Sequence, residues 1–222
     1  MQTKFRANFL ILGVLLFYGC YLTPERVCSN SVETEQDMTT IQNNNEIEGY
    51  PESISVSQGE SLAFKVHTTS ERFSYKIIEG ISNQTMLQGD AAGQVQNYKR
   101  FSFRYGSNWE TSFVLKVPET WRSGIYFVKL INEEEKFYIP FIVKSKSMAP
   151  ILIIGSTNTW AAYNSWGGAS FYVNNVEENC RGSQTISFDR VIGSRYPPND
   201  QGHTYYGELN VLKWLYLRGF EF

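Results

Sequence analysis

Between Tyr50 and Lys146 the sequence is cut into short runs in which apolar and polar residues alternate. Successive side chains of a strand point to opposite faces, so a period of two marks one buried and one solvated face. Leu62-Ala63-Phe64-Lys65-Val66, Phe101-Ser102-Phe103-Arg104-Tyr105 and Phe113-Val114-Leu115-Lys116-Val117 carry this pattern. Ser53-Ile54-Ser55-Val56 precedes the turn Gln58-Gly59-Glu60, and Phe73 to Ile78 is a further run. Gly124 to Leu130 and Phe137 to Val143 close the series. About seven strands separated by Gly, Pro and Asn turns predict an Ig-like antiparallel β-sandwich, spanning residues 49–147. Pro140 has no N–H for a ladder, so its run is expected to be an edge strand or to carry a bulge. Trp121, in the turn from Pro118 to Gly124, is expected to pack over the sandwich.

At Met148 the character changes. Ile151-Leu152-Ile153-Ile154 is continuously apolar, which suits a strand buried on both faces in a parallel sheet. Leu209 to Leu217 reads as a helix with Leu209, Leu212, Trp214, Leu215 and Tyr216 on a broad stripe, and Gly219 as its C-cap. Phe220-Glu221-Phe222 is expected to open another strand. Residues 148–222 thus read as the start of an incomplete parallel α/β domain, because a doubly wound sheet needs several βα units to cover its first strand. The expected class is β plus α/β.

The first residues read as an address. Lys4 and Arg6 precede an apolar run from Phe9 to Tyr18. A bilayer-spanning helix needs about 20 residues, so residues 1–20 are expected to be an export signal, with a charged head and a short apolar stretch. Gly19-Cys20 suggests lipoprotein processing with lipid on Cys20; the alternatives are an ordinary cleaved signal and an uncleaved anchor. Each places the remainder outside the cytoplasm: periplasmic, extracellular or held at a membrane. Residues 21–48 are polar and amide-rich and read as a flexible tether. With Cys20 lipidated, Cys28 and Cys180 remain as a pair that an oxidising compartment allows.

Charge and histidine content exclude several functions. The chain has 20 Lys+Arg against 22 Asp+Glu, without the basic excess that counterion displacement on nucleic acid requires. Two histidines cannot build a multi-histidine metal site; a metal would need carboxylates, phenolates or backbone oxygens. The densest polar and aromatic cluster runs from Gly155 to Gly168. At the carboxyl end of a parallel strand it would lie where open α/β sheets bind ligands. It lacks the spacing of a phosphate loop and of a nucleophile elbow. Asn158, Trp160 and Asn164 are its pocket candidates, with aromatic packing on the sheet as the alternative. His203 to Glu208 form a second cluster. Glu208, also a pocket candidate, would sit at the positive end of the following helix, where simple capping explains it equally. Ser187-Phe188-Asp189-Arg190 reads as a structural charged pair at a strand end.

Thr157-Asn158-Thr159-Trp160-Ala161-Ala162-Tyr163-Asn164-Ser165-Trp166-Gly167-Gly168 resembles the hallmark of the C-terminal family of N,N-dimethylformamidase large subunits. Ser187-Phe188-Asp189-Arg190, Glu208 to Gly219, Trp121-Arg122-Ser123-Gly124-Ile125-Tyr126 and Pro140-Phe141-Ile142-Val143 are similar to its other segments. The resemblance implies a hydrolase of small amides with one iron held by two tyrosines and a glutamate. Tyr163 matches the first tyrosine; Tyr205 or Tyr206 is expected to be the second. The acidic ligand of the family lies in a later segment, absent here, and Glu208 is not its equivalent. The chain is therefore expected to be the N-terminal portion of an exported amidohydrolase, inactive alone, with a second subunit or further copies as partners. The alternative is a non-catalytic surface lipoprotein whose sandwich binds a glycan or a protein.

Overall fold

The computed structural model describes residues 38–133, 135–177, 181–196 and 205–222. The expected signal, Cys20, Cys28, Cys180, His203 and the first part of the expected tether lie outside them. The strands are β1 (Thr40–Ile41), β2 (Ile47–Pro51), β3 (Ser55–Ser57), β4 (Ser61–Thr68), β5 (Arg72–Glu79), β6 (Thr85–Ala92), β7 (Tyr98–Lys99), β8 (Phe113–Lys116), β9 (Gly124–Ile131) and β10 (Lys136–Lys144). The helices are α1 (Ser102–Tyr105), α2 (Thr157–Tyr163) and α3 (Tyr205–Leu217), with a 3-10 turn at Trp166–Gly168. Residues 38–48, within the expected tether, carry β1 and the start of β2.

The alternating runs become paired strands. One sheet has the order β2-β4-β8, a second β3-β10-β9-β5-β6, and β1 pairs with β7. The pairings are antiparallel except that of β3 with β10, which is parallel. The two larger sheets face one another: Phe64 of β4 meets Phe141 of β10 edge-on at 5.5 Å, and Phe113 of β8 stacks on Tyr75 of β5 at 4.1 Å. Ile47, Val66, Ile77, Val128, Leu130 and Ile139 fill the space between them. Each such side chain contributes about 1.5–3 kcal/mol on burial. Trp121 is buried as expected, stacked on Tyr126 at 5.1 Å, and the Tyr126 hydroxyl donates to the Arg122 carbonyl at 2.9 Å.

The larger sheet has a second covered face. In β9, Tyr126, Val128 and Leu130 point into the sandwich, while Ile125 and Phe127 point outward with Tyr138 and Ile142 of β10. Trp160, Tyr205, Leu209 and Leu212 pack on this outer face. Helix α3 forms where expected and buries Tyr205, Leu209, Leu212 and Leu215, spaced to share one face. Trp214 and Tyr216 of the expected stripe are solvent-exposed. Gly219 ends the helix at φ +76°, with Gly219 N–H on Tyr216 O and Phe220 N–H on Leu215 O; this is the Schellman pattern, which needs the left-handed conformation that glycine adopts without cost.

Pro140 sits in a gap. On the side of β10 away from β9, Tyr138 N–H donates to Ser194 O at 2.7 Å and Ile142 N–H to Ile54 O at 2.9 Å. Pro140 falls between these partners, and β3 pairs only with Ile142–Lys144, so the missing N–H costs no ladder bond.

Three expectations are corrected. Ile151–Ile154 forms no strand and no parallel α/β sheet starts there: Ile151 and Ile153 are half-buried, while Leu152 is 85% and Ile154 82% exposed. The run is irregular and lines a groove with Ile54, Ile125 and Ile142 on the larger sheet's side. Phe101–Tyr105 contains helix α1 rather than a strand; Phe101 and Phe103 pack together at 5.9 Å with Ala169 in a small separate core. Phe220 to Phe222 is irregular, with the Phe222 carbonyl accepting from Ser123 Oγ at 2.6 Å.

Candidate functional site

The segment from Gly155 to Gly168 folds as a short helix, a turn and a second tight turn. Trp160 anchors α2 in the outer core, edge-on to Tyr205 at 5.6 Å, with its indole N–H buried and unpaired. Gly167 and Gly168 have φ of +79° and +98°, a backbone region in which a side chain is strained. The Gly-Gly pair is thus what lets the chain reverse after Trp166.

Arg190 holds this turn from inside. It is 1% exposed. Its Nη1 donates to the carbonyls of Trp166 and Ala169, both at 2.9 Å, and its Nη2 to those of Ala161 at 3.0 Å and Asn164 at 2.8 Å. Two of these are carbonyls at the end of α2, where the helix ladder gives out; that of Ala161 also accepts the Asn164 N–H at 3.2 Å. Burial pushes the guanidinium down to about 10, so it remains charged at neutral pH. The fixed fork of donors suits several convergent carbonyls where a lysine would not. Asn164 completes the clamp: its Nδ2 donates to Val191 O at 2.8 Å and its Oδ1 accepts from Trp166 N–H at 3.1 Å.

The expected charged pair Asp189-Arg190 is therefore split between two tasks. Asp189 turns the other way, to Lys65 Nζ at 2.8 Å and Asn108 N–H at 2.9 Å. Burial opposes its charge, but Lys65 and the Asn108 N–H outweigh that penalty and keep its carboxyl below the usual range. Burial, joined by the nearby Asp189 carboxylate, pushes the Tyr50 phenol far up.

Between Ala161 and Asn164, the clamped turn presents Tyr163 to solvent. Tyr163 is 52% exposed and packs against Tyr172, 56% exposed, with ring centroids 4.6 Å apart. The hydroxyl of Tyr163 beside it raises the Tyr172 pKa above the ordinary phenol value. Sequence reasoning missed Tyr172, which lies in the unremarkable Phe171-Tyr172-Val173 stretch after the Gly-Gly turn. Tyr205 belongs to a different cluster, buried against Trp160 and Phe127, and burial pushes its phenol up to about 12. Tyr206 beside it is exposed. Asn158 is exposed. Glu208, in the first turn of α3, accepts from Ser156 N–H through Oε1 at 3.0 Å and lines a groove at the start of α2.

As a centre for iron, the arrangement offers two neighbouring phenols, which are hard oxygen donors. Among the described residues no group of three His, Cys, Asp and Glu could hold a metal ion. The described residues do not make up a set of two tyrosines and a glutamate.

Comparison with known proteins bears on residues 77–222, more than half of the chain, which match the family described as N,N-dimethylformamidase beta subunit-like, C-terminal. The N,N-dimethylformamidase beta subunit of Alcaligenes sp is 29% identical over 153 residues, covering 51% of this chain. The match spans 20% of that relative's length.

Proposed function

Because the chain belongs to the N,N-dimethylformamidase beta subunit-like C-terminal family, we propose that it is a component of a hydrolase that cleaves the C–N bond of small amides. The observation that carries this reading is the Arg190 clamp, which fixes the backbone on both sides of Tyr163 and leaves its phenol outside. A side chain needed only for packing would not be held out in water by a buried arginine whose two terminal nitrogens each hold two carbonyls. The chain's part is to position this phenol and its neighbour Tyr172 rigidly. Bound iron would supply a Lewis acid for the amide carbonyl. The two phenols fall short of the expected donor set, so the described residues alone are not a complete iron centre. The reading assigns the missing carboxylate to a second polypeptide segment, in keeping with the relative's being a beta subunit.

The sandwich supports an Ig-like reading in this proposal. Strand β3 leaves the β2 sheet to pair in parallel with β10, and the Tyr126–Arg122 hydrogen bond marks the corner before β9. The basic head and apolar run before Cys20 support export, with lipid on Cys20.

The test compares iron content and N,N-dimethylformamide hydrolysis for the chain alone and for the chain combined with the remainder of the relative's sequence. The expected result is an iron-phenolate absorption band in the combined preparation that Tyr163→Phe removes. Iron in neither preparation overturns the reading.

A further inference from the structure

We infer that His67 is a proton-operated latch on the segment 94–97, and that protonating its ring loosens the packing around Trp166. His67 lies in β4 and is 0% exposed. Both ring nitrogens meet backbone groups whose roles are fixed. Nε2 stands 2.7 Å from the Asn45 carbonyl, which can only accept. Nδ1 stands 2.9 Å from the Gln96 nitrogen, whose N–H can only donate. The ring is therefore neutral, with its proton on Nε2. A second proton, on Nδ1, would set two donors face to face and end the Gln96 bond.

Gln96 anchors what lies over this side of the smaller sheet. Its side chain donates to the carbonyls of Val66 at 2.9 Å and Glu110 at 3.1 Å, and accepts the Glu110 N–H at 2.6 Å. The Asn97 carbonyl accepts the Trp109 indole N–H at 2.9 Å. Trp109 meets Trp166 edge-on at 5.8 Å, and Tyr98 lies against Trp166 at 4.7 Å. Movement of 94–97 is thus passed to Trp166, in the turn that follows Tyr163.

The protonated ring has a counter-charge. Glu48 is its cross-strand partner in β2, which places the two side chains on one face. Neutral donors hold that carboxylate: Asn43, Asn45 and Trp166. The other charges around the ring are engaged or turned to water. Lys65, also in β4, pairs with Asp189, and Arg195, which donates to Asn45 Oδ1, pairs with Glu135. Glu46 accepts from Thr69 Oγ1, and Glu110 is exposed. Tyr50, opposite Lys65, keeps its proton because burial pushes its phenol far up. Acid therefore exchanges the bond to Gln96 for attraction to Glu48, a local rearrangement that leaves the sheet paired.

These bonds alone carry the inference. Under the reading proposed above, the latch makes the placing of Tyr163 sensitive to pH; failure to bind iron or to hydrolyse amide leaves it intact.

The experiment is an NMR titration of the isotope-labelled full chain from about pH 8 to about pH 5, the range in which histidine titrates. The His67 ring nitrogens, the Gln96 amide and the indole N–H groups of Trp109 and Trp166 are followed together. One shared midpoint is expected, below which the exchange protection of the Gln96 amide falls about tenfold. His67→Gln supplies an acceptor and a donor but takes up no proton. It is expected to keep the Gln96 amide protected and to abolish the shared transition. Glu48→Gln removes the counter-charge and is expected to move the midpoint to lower pH. A ring that gains no proton in this range, or gains one with Gln96 still protected, overturns the inference. So does a Trp166 indole that ignores the midpoint, the same transition in His67→Gln, or a midpoint that Glu48→Gln leaves in place. The wild-type titration is decisive by itself where a variant fails to fold.

Discussion

Trp166 donates its indole N–H to the carboxylate of Glu48, at 3.1 Å, across 118 residues of sequence. The bond ties the turn that carries Tyr163 to β2. Glu48 is buried and is also held by Asn43 Nδ2 at 2.7 Å and Asn45 Nδ2 at 2.9 Å. Neutral donors thus stabilise a buried carboxylate, and losing one leaves it under-satisfied. A double-mutant cycle of Glu48→Gln and Trp166→Phe is expected to give a coupling of about 1–2 kcal/mol in urea unfolding. Additive effects would show that the bond is not formed in solution.

Arg190 is the most demanding side chain of the turn. Arg190→Ala would strand the carbonyls of Asn164, Trp166 and Ala169 and leave that of Ala161 only the Asn164 N–H, at a cost of about 3 kcal/mol or more. Arg190→Lys keeps the charge but can reach only some of them, and is expected to cost roughly 2 kcal/mol. Urea denaturation followed by tryptophan fluorescence measures both. A loss below about 1 kcal/mol for Arg190→Ala would mean that water replaces the guanidinium.

The Tyr163–Tyr172 contact is open to titration. Tyr172 holds its proton above the ordinary phenol range because the Tyr163 hydroxyl stands beside it. Tyr163→Phe removes that neighbour, so the Tyr172 midpoint is expected to fall toward that of a free phenol. Tyrosinate absorbance during alkaline titration follows it, and an unchanged profile would separate the two rings.

Two groups shape stability at the extremes of pH. Asp189 has a folded pKa below its usual value, with Lys65 and the Asn108 N–H outweighing its burial. Its contribution is complete above the unfolded carboxylate's pKa, about 3.9, and is lost as pH falls through the folded value. Tyr205 is shifted the other way, up to about 12 by burial. Its contribution is complete below the unfolded phenol's pKa, about 10, and is lost as pH rises toward the folded value. Denaturation at stepped pH should show both limbs. Asp189→Asn is expected to flatten the acid limb and Tyr205→Phe the alkaline one.

Periodicity locates β4, β5, β8, β9 and β10, because each turns one apolar face to the sandwich core. It misses β6, whose Gly, Gln and Asp residues bury little. The failure at Ile151–Ile154 has a physical cause: an unbroken apolar run predicts burial without naming the element that covers it. The doubly covered strand is Phe137–Val143, whose own unbroken apolar stretch reads in the sequence as ordinary sandwich. Phe101–Tyr105 alternates, yet its aromatic rings meet each other and Ala169 instead of a facing sheet. At the candidate site, the Gly155–Gly168 cluster is conspicuous from residue types alone. The role of Arg190 is not, since the carbonyls it holds lie 21 to 29 residues earlier and only the folded chain brings them together.

The outward side chains of β9 and β10 settle how a trimmed protein would behave. Among the described residues, Ile125, Phe127, Tyr138 and Ile142 are covered largely by Trp160, Tyr205, Leu209 and Leu212, all beyond residue 147. A fragment ending there would bare a greasy flank beside β3's short cover, and size-exclusion chromatography should find it self-associated while the longer chain is not. The sandwich is accordingly no detachable module: deletion, shuffling or fusion has to carry both halves as one cassette, with any seam placed outside them.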